Sequence, residues 1–185
     1  MSRLIKILAA ATTAAAVCFA VIYCVTSNKV MLTLAITFGV TAFHFVMRLA
    51  VGLSFNAAMK NRADYHKPWF RQRKWERGLY KKLGVKRWKG RMPSYDPTLF
   101  DPSLHSFDEI AQAMCQAELV HETIAVLSFL PLLMIIPFGE PAVFIITSVL
   151  SAAFDLCFVI VQRYNRPRVV RLADRTRQTS APDPA

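Results

Sequence analysis

Apolar residues along this chain gather in four unbroken blocks instead of recurring at amphipathic spacing. The first runs from about Leu4 to Thr26, the second from Val30 to Phe55, the third from Glu118 to Pro137 and the fourth from Ala142 to Gln162. Each is close to the roughly 20 residues a helix needs to cross about 30 Å of hydrocarbon, the third being shortest in its apolar part. The runs do not alternate as barrel strands do, so helices are left as the way to satisfy the backbone in lipid. The pattern predicts an all-α, integral membrane four-helix bundle. Very short links at 27–29 and 138–141 make two transmembrane hairpins within a single membrane domain, 1–185. The first apolar run is too long for a signal-peptide core and a second span follows at once, so it is expected to be an uncleaved anchor.

Between the hairpins, 56–117 reads as a polar cytoplasmic loop with structure of its own. Pro68 is suited to the first turn of a helix, where its missing N–H costs nothing, and Gly84 to closing it. Between them Trp69, Phe70, Trp75, Leu79, Tyr80 and Leu83 interleave with Arg71, Arg73, Lys74, Arg77, Lys81 and Lys82. That mixture predicts an amphipathic helix lying in the interface, aromatics inserted and cations on anionic headgroups, with Trp69, Trp75 and Arg73 as anchors. A solvated charged face that only sets topology is the plainer alternative. Asp96-Pro97 and Asp101-Pro102 mark turns. Ser106 and Glu109 have capping-box spacing, which starts a helix near Phe107 that continues into the third span. The tail 178–185, rich in Ser, Ala and Pro, is expected to be disordered.

Composition then excludes an ordinary soluble domain: 54% of the 185 residues are hydrophobic and 19% charged, yet the net charge is +11. A basic excess suits nucleic acid or an anionic membrane surface, and the four blocks favour the membrane. No nucleic-acid partner is expected. The two short links hold a single basic residue, Lys29, and Arg48 lies inside a span; all other Lys and Arg sit at the N-terminus, in the central loop or in the tail. The positive-inside rule therefore makes this a multi-pass cell-membrane protein with both termini and the loop cytoplasmic. Cys18, Cys24, Cys115 and Cys157 form no C-x-x-C pair and read as packing residues.

Ionisable residues inside spans are functional candidates by default. His44 and Arg48 lie one turn apart on one face of the second span, and the fourth carries Asp155. Arg48 and Asp155 both sit roughly 10–12 Å inside the cytoplasmic end, which predicts an ion pair between these spans; stapling the bundle is an equally good reason for it. The third span begins with Glu118, His121 and Glu122 on one side of a helix. Glu118 is placed to hold one ring nitrogen of His121, leaving the other to take a proton from a hydroxyl as a general base must. The alternative is a polar marker at headgroup level. H-E-x-x-H spacing is absent, and no metal is expected. Nor do His105 and Asp108 fit the H-x-x-x-x-D acyltransferase spacing, since Ile110 stands at its fifth place.

Where the fourth span ends, the chain reads Gln162-Arg163-Tyr164-Asn165-Arg166-Pro167-Arg168. Arginine alone would anchor a cytoplasmic end; Gln, Tyr and Asn add hydrogen bonders of fixed geometry, which point to a phosphate- or polar-substrate site.

The run Ile160–Arg168 resembles the C-terminal signature of the glycosyl-4,4'-diaponeurosporenoate acyltransferases, membrane enzymes of the staphyloxanthin pathway. Ala117-Glu118-Leu119-Val120-His121 and Arg73-Lys74-Trp75-Glu76 are similar to that family as well. The first two spans match only in character, and Asp155 stands where the family would be expected to have Asn. The resemblance implies esterification of a sugar hydroxyl on a carotenoid glycoside, with acyl-CoA or another acyl thioester as co-substrate and no bound cofactor. It implies a bacterial inner membrane and, as partners, membrane lipids, the acyl donor and a lipid-borne acceptor.

Together these readings make His121 the general base and Glu118 its orienting group. Arg163, Arg166 and Arg168 would hold donor phosphates or developing charge. Gln162, Tyr164 and Asn165 would position the acceptor, with His44, Arg48 and Asp155 as buried polar support. A non-enzymatic membrane scaffold or lipid-binding subunit would account for the charge, the aromatics and the hairpins, but not for this set of polar side chains. A proton-coupled transporter using His44, Arg48 and Asp155 ranks below both.

Overall fold

The computed structural model describes residues 2–180 and contains helices and turns but no strand among them. Helix α1 spans Ser2–Thr26 and α2 spans Lys29–Met59. The short helices α3 (Lys74–Lys82) and α4 (Val85–Trp88) follow. Then come α5 (Phe107–Leu127), α6 (Ile135–Phe138) and α7 (Pro141–Ser180). Four helical stretches are long and apolar enough to cross a membrane: Arg3–Thr26, Lys29–Met59, Phe107–Phe138 and Pro141–Thr179. The protein is therefore an all-α membrane protein, as its apolar blocks predict.

Two of these helices run well past the blocks that define them. Helix α2 continues to Met59, and α7 has 40 residues, twice what hydrocarbon requires. Helix α7 includes 178–180, where the disordered tail is expected to begin; 181–185 lie outside the described residues. The third span is interrupted. Pro131 lacks the N–H that would continue α5 and its ring crowds the carbonyl one turn back. The chain accordingly tightens into a 3-10 segment, Leu130–Met134, before α6.

The chain divides into two compact units whose boundaries fall within α2, α5 and α7. One comprises residues up to Ser54 with Glu122–Leu156. Its apolar centre is Ile36, Val40 and Phe144, and Phe19 stacks on Phe38 with ring centroids 5.5 Å apart. Both interhelical links belong here: Ser27 and Glu140 take left-handed backbone, and Thr33 donates to the Glu140 carboxylate at 2.8 Å. Arg48 and Asp155 form the expected ion pair, with Asp155 1% exposed. Arg48 also reaches the Ser151 hydroxyl at 2.9 Å, and Ser151 in turn bonds Ser128 at 2.9 Å, so the pair sits in a network joining α2, α7 and the end of α5. His44 joins it through its carbonyl, which accepts from Arg48 at 3.0 Å. Its buried ring nitrogens have no hydrogen-bond partner among the described residues.

The other unit comprises Phe55–His121 and the residues from Cys157 onward. Ala63, Tyr65, Phe70, Ala111 and Cys115 form its core. The predicted capping box is present: Glu109 accepts from the Ser106 N–H at 2.9 Å, and the Ser106 hydroxyl accepts from the Glu109 N–H at 3.3 Å. Asp96 and Asp101 cap the turns expected of them, each accepting from the N–H two residues on.

The expected single helix over 68–83 is broken. Pro68 opens only a 3-10 turn, Pro68–Phe70, and α3 begins at Lys74 after extended backbone at Arg73. Gly84, at φ +61°, ends α3 as expected, in a conformation a side chain would resist. The break lets the aromatics part company. Trp69 and Trp75 are exposed, while Phe70 and Tyr80 are buried. Helix α3 thus turns Glu76 and Tyr80 inward and leaves Trp75 and Leu79 exposed among Lys74, Arg77, Lys81 and Lys82, with Leu83, its C-cap, exposed beside them.

Candidate functional site

The 3-10 turn at 68–70, α3, α5 and α7 bring the three sequence motifs onto one cluster of charge. Glu118, fully buried on α5, accepts from Arg163 at 2.6 Å with one carboxylate oxygen and from Arg166 with the other. Arg163 and Arg166 are three residues apart on α7 and so present the same side. Arg163 extends to a second buried carboxylate, Glu76, at 2.8 Å. It also donates to the carbonyl of Trp69 at 3.3 Å. Arg166 donates to the Phe70 carbonyl, and its guanidinium lies 5.2 Å from the Phe70 ring centre. The break after the Pro68–Phe70 turn thus leaves backbone acceptors that a continuous helix would have used internally.

Two carboxylates and two guanidiniums balance in charge, which is what makes their joint burial affordable. Glu76 shows the balance. Burial pushes its carboxyl upward, but the Arg163 guanidinium, the Tyr80 hydroxyl and the Arg73 N–H outweigh that and hold it below the usual range. Tyr80 donates to Glu76 at 2.7 Å, and burial and that carboxylate raise its own phenol. Glu76 and Tyr80, spaced four apart, were legible only as the end of the Arg73–Glu76 string and as one aromatic of the basic run. A carboxylate and a phenol one turn apart on a cationic helix are the signal that would have singled them out.

His121, one turn beyond Glu118, lies flat against Phe158 of α7, the ring centroids 4.4 Å apart and the planes 8° from parallel. The contact fixes the plane of the imidazole. Tyr164 packs edge-on to Tyr80, with centroids 5.9 Å apart. Asn165 accepts from Lys89 at 2.5 Å, and the same ammonium sits 4.8 Å from the centre of the Tyr164 ring. Burial and repulsion from Arg168 and Lys86 lower the Lys89 pKa. Lys89 was no candidate from sequence, being one of many loop cations. Gln162 is half-buried and Arg168 exposed. Trp69, Trp75 and Arg73 face outward.

Away from this cluster, Asp108 accepts from the Tyr65 hydroxyl at 2.6 Å, from Gln112 at 2.8 Å and from Arg177. Burial and the Asp108 carboxylate push the Tyr65 phenol up to about 12. This knot ties the far part of α7 to the start of α5.

The arrangement separates two kinds of residue that sequence spacing treats alike. Arg163 and Arg166 are closed onto carboxylates, whereas Arg168 remains open to solvent. His121 is held by a ring contact with Phe158, one turn along α5 from the bridge that Glu118 makes to Arg163 and Arg166. No curated protein and no solved structure matches this chain. The family model for glycosyl-4,4'-diaponeurosporenoate acyltransferase, however, matches residues 66–175. That stretch is more than half of the chain and holds every member of the Glu76–Glu118–Arg163–Arg166 cluster as well as His121. The chain therefore belongs to the glycosyl-4,4'-diaponeurosporenoate acyltransferase family and is a membrane acyltransferase of the carotenoid pathway.

Proposed function

We propose that this acyltransferase esterifies a hydroxyl of a lipid-borne, glycosylated acceptor with a fatty acyl chain from a thioester donor, and that His121 is the general base. The observation that carries the reading is the convergence of the Ala117–His121 and Gln162–Arg168 motifs on the buried Glu118–Arg163–Arg166 bridge. His121 takes the acceptor's hydroxyl proton; the oxygen attacks the thioester carbonyl; the thiolate leaves and recovers a proton. A base of this kind must be near neutral in charge and fixed in orientation, and the Phe158 stack supports the second requirement. Glu118 acts by fixing the start of the third span, and through it the turn that carries His121. Its two arginine contacts favour this positioning role.

Closed as they are onto Glu118 and Glu76, Arg163 and Arg166 are better suited to building the site than to gripping a donor. Arg168 is the motif arginine left for substrate charge. Tyr164 and Asn165, set by Tyr80 and Lys89, border the acceptor. The reaction belongs at the cytoplasmic face of a bacterial inner membrane, with termini and loop inside, because the basic residues gather there. Trp75 and Leu79, exposed on α3 among Lys74, Lys81 and Lys82, support a seat in the headgroup layer.

Acyl transfer from labelled acyl-CoA to a membrane lipid extract tests this directly. The wild-type protein is expected to yield a labelled lipid, and His121→Ala to lose about 10²–10⁴ in rate at matched folded amounts. Full activity in that variant removes His121 from the chemistry.

A further inference from the structure

A cavity of about 300 Å³ opens beside the cluster, lined by Arg71, Gln72, Arg77, His66, Tyr65 and Arg166, with Phe70, Pro167 and Val170 completing it. That volume is at the lower end of small-molecule sites. No Asp or Glu lines it. Arg166 is already committed to Glu118 and the Phe70 carbonyl, and the Tyr65 hydroxyl to Asp108. Arg71 and Arg77 differ: both are exposed, so water meets their charge, and no carboxylate among the described residues pairs with either. Arg77 is instead steered by the Gln72 side-chain carbonyl, which accepts from its Nε at 3.4 Å. The His66 ring stands 4.4 Å from that of Tyr65. Two guanidiniums paired with no carboxylate, an imidazole and aromatic faces around one concavity are the chemistry of a phosphate attached to an organic group.

We infer that this cavity binds a phosphate group, with Arg71 and Arg77 as its principal ligands and His66 as a further donor. Two sources share that chemistry: the nucleotide head of a soluble acyl thioester, and the headgroup of an anionic lipid. The assignment deepens the acyl-transfer reading and rests on it only in naming the donor head. It gives the donor's charge a seat other than Arg163 and Arg166, whose own charges are met inside the fold.

The experiment uses the full chain in phosphatidylcholine nanodiscs, titrated with adenosine 3',5'-bisphosphate. Saturable binding is expected, weakened about tenfold or more in Arg71→Gln/Arg77→Gln, as two lost charge-assisted hydrogen bonds require. Arg71→Lys/Arg77→Lys should keep much of the affinity. Thermal unfolding should be unchanged in both, since neither guanidinium holds an internal carboxylate. Absence of saturable binding, or equal affinity in the glutamine variant, overturns the site. Nanodiscs containing phosphatidylglycerol separate the sources: competition that disappears in the glutamine variant upholds the phosphate site and assigns it to lipid, whereas no competition upholds it for the soluble head. Binding that persists in His121→Ala while acyl transfer from acyl-CoA fails in the wild type would sink the catalytic reading and leave this site standing.

Discussion

Glu118 is the residue on which the buried charge cluster turns, because both of its oxygens are occupied by guanidiniums in a place with no solvent to replace it. Glu118→Ala leaves Arg163 and Arg166 with one carboxylate between them, and a cost of about 3–5 kcal/mol is expected. Thermal unfolding of the detergent-solubilised protein measures it; a change near zero would mean that the bridge does not form. Asp155 poses the same problem within hydrocarbon. Asp155→Ala strands Arg48 and should destabilise by a similar amount, whereas Arg48→Leu/Asp155→Leu should recover most of the loss, since an apolar pair of similar size needs no desolvation. Glu76 adds a pH dependence. Its carboxyl is held below the ordinary range in the fold, so its contribution is fully present above the ordinary carboxylate pKa and is lost as pH falls through the lowered value. Melting temperature followed from pH 7 downward should drop more steeply in the wild type than in Glu76→Gln.

At the scale of elements, helix ends and breaks were partly legible. Ser106 and Glu109 announced the start of α5 because a capping box is local, made of residues three apart. Ser106→Ala should cost about 1 kcal/mol, which a urea or thermal melt can resolve. The break between Pro68–Phe70 and α3 was not legible. Intrinsic preference favours a continued helix through Arg71-Gln72-Arg73; what stops it is that Arg163 and Arg166 take the carbonyls of Trp69 and Phe70 from almost a hundred residues away. The same break decides which aromatics are exposed and which are buried. Two aromatics of the same run, Trp75 and Tyr80, end on opposite faces, and the buried one, Tyr80, donates its hydroxyl to Glu76.

At the scale of the whole molecule, the proposed topology rests on charge. Asn28 and Gly139 lie in the two short links, and the positive-inside reading puts both outside the cell. Cysteines introduced there in a background lacking the four native ones should react with an impermeant maleimide on intact cells, and one at Gly90 of the loop should not. The reverse pattern would invert the topology.

Hydrophobic blocks, basic asymmetry and local caps determined that the chain is a four-span helical membrane protein, since each is set by contiguous or near-contiguous residues. The family motifs were likewise readable as short strings. What only the tertiary structure decided is what those strings do together. Whether an arginine is free for substrate or closed onto a carboxylate depends on partners 45 and 87 residues away, and spacing along one helix carries no information about them. Arg163 and Arg166 read from sequence as ligands for a donor, yet their charges are met by Glu118 and Glu76. Arg71 and Arg77 read as one stretch of a cationic face, yet they stand exposed around a cavity with no carboxylate paired to them. Burial makes the difference: away from water an unpaired charge is so costly that the fold must pair it, and only the packed chain settles which charges are inside.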